Sequence, residues 1–298
     1  MAVAAVELEL SELCERVRRR TTAGVRTPAS VSAMATAVLT GANGALGARV
    51  SRLLADADVD VVVIDDSVHP ASAGFETSSA SVAAWPDRAD VVIDIGTSDH
   101  DRRGELRESA SGFAARSLAA ADRFGAAQLV FVSSALVYGA APNNPRPLTE
   151  DAVLRPDVEF VFARQLASSE ELVDQWRRAR GGRRAAVLRP VISLAADDTS
   201  RLARALVAGL GRRVAEVDPP SQFLHLDDLA AAVVLAVTSR LDGVFNVAPD
   251  GWVAGERARA LSGERPRLPL PDRVSEVVSS QRRRIQRGPH THRQRPYN

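Results

Sequence analysis

Ala35-Thr36-Ala37-Val38-Leu39-Thr40-Gly41-Ala42-Asn43-Gly44-Ala45-Leu46-Gly47 is the most informative stretch of the chain. It reads as a short apolar strand, a glycine turn and the opening of a helix, whose apolar positions Leu46, Val50, Leu53 and Leu54 recur at helical spacing. Three glycines spaced G-x-x-G-x-x-G at such a junction have separate tasks. Gly41 permits the tight turn, Gly44 lets backbone approach a phosphate, and Gly47 lets the helix pack closely on the strand. The helix N-terminus adds free N–H groups and a positive dipole end. Gly41, Asn43, Gly44, Ala45, Leu46 and Gly47 are therefore the candidate cradle for a dinucleotide pyrophosphate.

Working outward, strands and helices alternate. Val59 to Ile64 is a continuous β-branched run, which predicts a buried strand. It ends in Asp65-Asp66, close to the roughly 20-residue distance at which an acid meets the adenosine ribose hydroxyls. An acid there would repel a 2′-phosphate and no arginine follows at once, so NAD is favoured over NADP. A weak strand is predicted near Phe75 to Ser78 and a buried one at Val91 to Ile95, running into Gly96-Thr97. A helix is predicted from Glu105 to Phe124, stopping at Gly125. Leu129 to Val132 leads into Ser133-Ser134, Val158 to Arg180 is a long helix, and Ala185 to Leu188 leads into Arg189-Pro190. This order predicts an α/β fold, a Rossmann-like doubly wound parallel sheet. The mixed remainder, with Leu202 to Leu210, Asp227 to Thr238 and Val244 to Val247, predicts a small C-terminal substrate lobe.

The expected division is thus an N-terminal extension at 1–33, a nucleotide-binding domain at 34–190, a smaller lobe at 191–271 and a basic tail at 272–298. Val6 to Arg20 has an amphipathic helical pattern. Met34 stands immediately before the first strand, as a natural start or the mark of a dispensable extension. The arginine-rich tail reads as a solvated end rather than a nucleic-acid site.

The 298 residues are 45% hydrophobic with a net charge of +1, which suits a sizeable core and argues against a whole-body nucleic-acid binder. No run is long and apolar enough to span a bilayer, and Glu7, Glu9, Glu12 and Glu15 interrupt any signal-peptide core. Cys14 is the only cysteine, which fits a reducing cytoplasm, and the histidines are scattered, so no metal site is expected. All 38 basic side chains are arginine. No step that needs a lysine is open to this chain.

A family resemblance rests on several ordered stretches. They are Thr40 to Gly47, then Leu129-Val130-Phe131-Val132-Ser133-Ser134-Ala135-Leu136-Val137-Tyr138-Gly139, then Pro147-Leu148-Thr149-Glu150-Asp151. Val187-Leu188-Arg189-Pro190, Gln222 to Ala230 and Gly243-Val244-Phe245-Asn246-Val247-Ala248 complete them. Over about Ala35 to Pro271 the chain resembles the extended short-chain dehydrogenase/reductases, the NAD-dependent epimerase/dehydratase group that acts largely on nucleotide sugars. The resemblance implies NAD as cofactor, a nucleotide sugar as small-molecule ligand, and a homodimer through the helices at 105–124 and 158–180, with Leu118, Val161, Leu172 and Trp176 at the seam. It places Gly96, Thr97 and Pro190 near the cofactor and Arg189 near the nicotinamide. His225, Asp227 and Asp228 fall in a stretch that mostly holds the smaller lobe.

The chemistry implied by the resemblance needs a serine that orients the substrate hydroxyl, a tyrosine acid/base, and a lysine four residues later. The lysine lowers the tyrosine pKa and binds the nicotinamide ribose. Ser134 matches the serine. Phe162 stands where the tyrosine belongs and Leu166 where the lysine belongs, in Phe162-Ala163-Arg164-Gln165-Leu166 followed by Glu170. Phenylalanine has no proton to exchange and leucine cannot depress a neighbour's pKa. General acid–base help is worth roughly 10²–10⁴-fold, so the usual route is impaired or absent. Tyr138 is the one candidate for a relocated acid/base, acting with Ser134.

Overall fold

The computed structural model describes residues 35–42, 44–64, 86–96, 114–141, 143–158, 160–195, 221–254 and 257. Asn43, Asp65, Asp66 and Thr97 lie outside the described residues. So do the extension, the tail, the strand predicted near 75–78, the start of the helix predicted at 105–124 and the helix predicted at 202–210.

The described elements are β1 (Ala35–Thr40), α1 (Ala45–Ala55), β2 (Val59–Ile64), β3 (Val91–Asp94), α2 (Ala115–Phe124), β4 (Gln128–Val132) and a 3₁₀ turn (Ala135–Tyr138). They continue with α3 (Val161–Arg178), β5 (Arg184–Pro190), β6 (Ile192–Leu194), β7 (Phe223–His225), α4 (Leu226–Thr238) and β8 (Gly243–Val247). Six strands form one sheet in the order β2-β1-β3-β4-β5-β8, each neighbouring pair parallel. This is the Rossmann-like architecture expected from the sequence.

Successive strand side chains point to opposite faces, so each strand feeds two cores. Leu39, Ile93, Val130 and Leu188 join Val50 and Leu54 of α1 and Leu229 and Val233 of α4 on one face. Val38, Val92, Leu129 and Val187 join Phe124 of α2 and Leu166 and Val173 of α3 on the other. Helix layers on both faces explain why β3 and β4 are buried throughout.

Two expectations change. The β-branched run of β2 predicts a fully buried strand, but only Val59 and Ile64 are buried and Val63 is 46% exposed. Among the described strands β2 pairs only with β1. The sequence also puts 227–238 and 244–247 with the smaller lobe. Instead α4 supplies one core face and β8 extends the main sheet, in register from Ala186↔Gly243 to Pro190↔Val247. The apolar face of α4 and the apolar residues of β8 find their burial there. What stands outside the main sheet is the parallel pair β6–β7, with Ser221 bridged to Val253 and the Gln222 amide donating to the carbonyls of Pro249 and Gly251.

Candidate functional site

The strand order reverses at β1, with β2 on one side and β3 on the other. In an open parallel sheet the crevice beyond the carboxyl ends at such a switch point is where ligands bind. The turn after β1 and the end of β3 meet there as bare backbone. Gly41 has φ +73°, and a Cβ on it would lie 2.2 Å from the Gly96 Cα. A Cβ on Gly47 would lie 1.9 Å from the Ala42 carbonyl oxygen. The first and third glycines are therefore required by close approach. Gly44 is the N-cap of α1 in an extended conformation, with no side-chain cap and no acid in the first turn. The first-turn N–H groups of α1 thus face the cradle without a competing carboxylate.

Asp94, unremarked in the sequence, supports this end. Its buried carboxylate accepts the Gly96 N–H at 3.0 Å and so fixes the end of β3 against Gly41. Behind the cradle, Arg49 of α1 donates to Asp227 at 2.6 Å and to the Ala45 carbonyl at 3.0 Å. The His225 Nδ1 accepts the Asp227 N–H at 3.2 Å and caps α4. His225 and Asp227 thus hold α4 and join it to α1.

Across the crevice, β4 delivers Ser133 and Ser134. Ser134 is half-buried at the N-cap of the 3₁₀ turn, where its Oγ accepts the Leu136 N–H at 3.3 Å. Ser133 is turned the other way and donates to the Glu170 carboxylate of α3 at 2.5 Å. Glu170 is held by Arg189 of β5, whose Nε and Nη2 donate to its oxygens, the shortest at 2.6 Å. Arg189 Nη1 donates to the Tyr138 hydroxyl at 2.8 Å and to the Glu150 carbonyl at 3.1 Å. The Tyr138 hydroxyl in turn donates to Asn246 Oδ1 of β8 at 2.6 Å. Asn246 anchors the 148–150 loop, its side-chain amide donating to the Leu148 carbonyl and its N–H to the Glu150 carboxylate.

This network engages Arg189, which the resemblance puts near the nicotinamide, with Glu170, Tyr138 and the Glu150 carbonyl. Its guanidinium is 5% exposed and bonded within the protein. Burial works against its charge, but the hydrogen bonds and charge of Glu170, helped by Tyr138, hold its pKa above the ordinary value. Pro190 is buried at the end of β5, opposite Val247. Five of the linked residues, Ser133, Tyr138, Glu170, Arg189 and Asn246, come from separate segments. Tyr138, Glu170 and Arg189 each carried a positional signal in the sequence, but nothing there showed that they bond one another.

Phe162 and Leu166 lie on the first two turns of α3 and are 2% and 0% exposed. They join Val137, Tyr138 and Val187 in the second core cluster, with the Phe160 and Phe162 rings 5.9 Å apart. Neither offers a polar atom to the crevice. Trp176 of the same helix is held within its own chain on one side. Its Nε1 donates to Asp122 of α2 at 3.1 Å and the Arg183 guanidinium lies over its ring.

Among the described residues no helix is long and apolar enough to cross a membrane. The family model for the NAD dependent epimerase/dehydratase family matches residues 37–248. Similar solved structures include UDP-N-acetylglucosamine 4-epimerase from Bacillus cereus, with 16% identity over 76% of this chain and 81% of that one, at a TM-score of 0.56. UDP-glucose 4-epimerase from Brucella ovis, solved in complex with NAD, is 20% identical over 75% and 80%, at a TM-score of 0.54. dTDP-glucose 4,6-dehydratase from Bacillus anthracis, also with NAD, is 14% identical over 76% and 79%, at 0.54. Uncharacterized proteins of Mycobacterium tuberculosis and Mycobacterium bovis are 30% identical over 149 residues, 48% of this chain. The match spans only 38% of the length of those relatives. By the family match over 37–248, the chain belongs to the NAD dependent epimerase/dehydratase family.

Proposed function

We propose that this chain binds NAD in the crevice between β1 and β3, together with a nucleotide-sugar-like ligand, and does not run the family's tyrosine–lysine proton transfer. One observation carries the proposal: the two positions that would hold the acid/base pair are Phe162 and Leu166, sealed in an apolar core, in a chain with no lysine. The cradle fits the cofactor: Gly41 and Gly47 let the turn close against Gly96 and Ala42, and the uncapped first turn of α1 at Gly44 presents backbone N–H groups that would meet a pyrophosphate. Asp65 and Asp66 would take the adenosine ribose, which favours NAD over NADP. NAD when bound supplies a hydride acceptor. Among the described residues the Ser134 hydroxyl is the polar group that can orient a sugar hydroxyl, and its Oγ accepts the Leu136 N–H with no carboxylate or imidazole hydrogen-bonded to it.

A relocated acid/base at Tyr138 gains no support from the geometry. Its hydroxyl is buried, donates to Asn246 and accepts from Arg189, so its proton has no route to a ligand. The main sheet, with α4 and β8 added to the division at 34–190, would carry the nucleotide, and the β6–β7 side of 191–271 the sugar. A cytoplasmic homodimer through α2 and α3 belongs to the same proposal. The test is mass spectrometry of nucleotides released from purified, denatured protein, beside turnover assays on UDP-sugars. Bound NAD without turnover is expected. Epimerisation at ordinary family rates would end the proposal.

A further inference from the structure

We infer that the cofactor site recognises the ADP-ribose portion of NAD and is indifferent to the nicotinamide end, so that ADP-ribose is as good a ligand as NAD⁺ or NADH. The inference rests on the cofactor reading above and deepens it.

The two ends of the crevice are built differently. At the pyrophosphate end, the Gly41–Gly96 and Gly47–Ala42 close approaches shape the turn, and the uncapped first turn of α1 supplies backbone donors. These donors serve any adenosine diphosphate group equally, because none of them reaches beyond the phosphates. At the other end, the positions whose tyrosine and lysine would hydrogen-bond the nicotinamide ribose are Phe162 and Leu166. Both are buried, and neither side chain has a donor or acceptor.

Among the described residues no neighbouring side chain takes over. Arg189, the cation that the resemblance puts near the nicotinamide, has Nε and Nη2 on Glu170 and Nη1 on Tyr138 and the Glu150 carbonyl. Freeing it would leave the Glu170 carboxylate buried without its countercharge, which is strongly disfavoured. The Tyr138 hydroxyl is taken at both ends. The Ser133 hydroxyl is committed to Glu170. Ser134 alone has a hydroxyl that can still donate, since its Oγ only accepts from the Leu136 N–H. From the described residues the nicotinamide riboside half therefore gains at most one side-chain hydrogen bond. A charge-assisted bond from a lysine, the strong kind, is missing altogether. The occupancy of this protein would then follow the amount of ADP-ribosyl nucleotide present and not the ratio of NAD⁺ to NADH.

Calorimetric titration of the full chain with NAD⁺, NADH and free ADP-ribose tests this directly. The three dissociation constants should agree within about threefold, because the nicotinamide end adds little beyond one neutral hydrogen bond that replaces one to water. A preference for NAD⁺ or NADH over ADP-ribose of about tenfold or more would overturn the inference while leaving the cofactor reading intact. If none of the three binds, the cofactor reading itself falls and this inference with it. All three titrations use the native protein, so no mutant need fold.

Discussion

Replacing Arg189 with methionine should damage stability far more than the loss of one surface cation. Arg189 and Glu170 are 5% and 6% exposed and joined at 2.6 Å. Removal of the guanidinium leaves the Glu170 carboxylate with the Ser133 hydroxyl and no countercharge. Breaking a buried pair this way costs roughly 3–5 kcal/mol. The Tyr138 hydroxyl and the Glu150 carbonyl lose a donor as well, each worth about 1 kcal/mol. These losses overlap, so a total of about 4–6 kcal/mol is expected, a large share of the ~5–15 kcal/mol that holds a domain folded. Urea unfolding followed by far-UV circular dichroism reads the loss. The paired variant Glu170→Leu with Arg189→Met removes both charges and should recover at least half of it, since no charge is then buried alone. Ser133→Ala serves as a milder companion if Arg189→Met fails to fold. Raised above its ordinary value, the Arg189 pKa adds stability that is lost only as pH climbs through that raised value. The pair should therefore contribute no pH slope from its arginine near neutrality. An Arg189→Met loss below about 1.5 kcal/mol would refute the account of a network held by this pair.

Three further outcomes follow from the same structure. Gly41→Ala puts a Cβ 2.2 Å from the Gly96 Cα at φ +73°, so NAD affinity by calorimetry should fall at least about tenfold, with stability lowered by about 2 kcal/mol or more. Leu166→Lys buries an ammonium among apolar side chains and should cost several kcal/mol. Its folded pKa would be lowered, so the penalty is greatest at low pH and should shrink as pH rises, which thermal melts across pH would show. Tyr138→Phe should cost about 1–2 kcal/mol by leaving Arg189 Nη1 and Asn246 Oδ1 short of a partner, without altering NAD affinity.

Local signals in the sequence were sufficient where one residue pattern fixes one element. Helix α1 runs from Ala45 to Ala55 as the glycine turn and the Leu46, Val50, Leu54 spacing require. Helix α2 stops before Gly125, and β3 and β4 lie where their apolar runs predict. The placement of β8 was not legible, because a short apolar strand carries no label for the strand that it will join. The exposure of Val63 was missed for a related reason: composition says that a strand can be buried, and only topology says whether a neighbour covers it. At the site, the glycines, Ser134, Phe162 and Leu166 were readable because their spacing is local. The Arg189–Glu170 pair, the Tyr138–Asn246 bond and the Arg49–Asp227 bond were not, since their partners stand 19, 108 and 178 residues apart.

The central claim is cofactor binding without the family's proton transfer. It is tested most directly by mixing the protein, at concentrations above that of a UDP-sugar, with NAD and following nicotinamide reduction by absorbance while the bound fraction is measured in the same sample. NAD bound at the protein with no reduced nicotinamide and unchanged sugar is the expected result. Reduced nicotinamide or an epimerised sugar within a single turnover would contradict it.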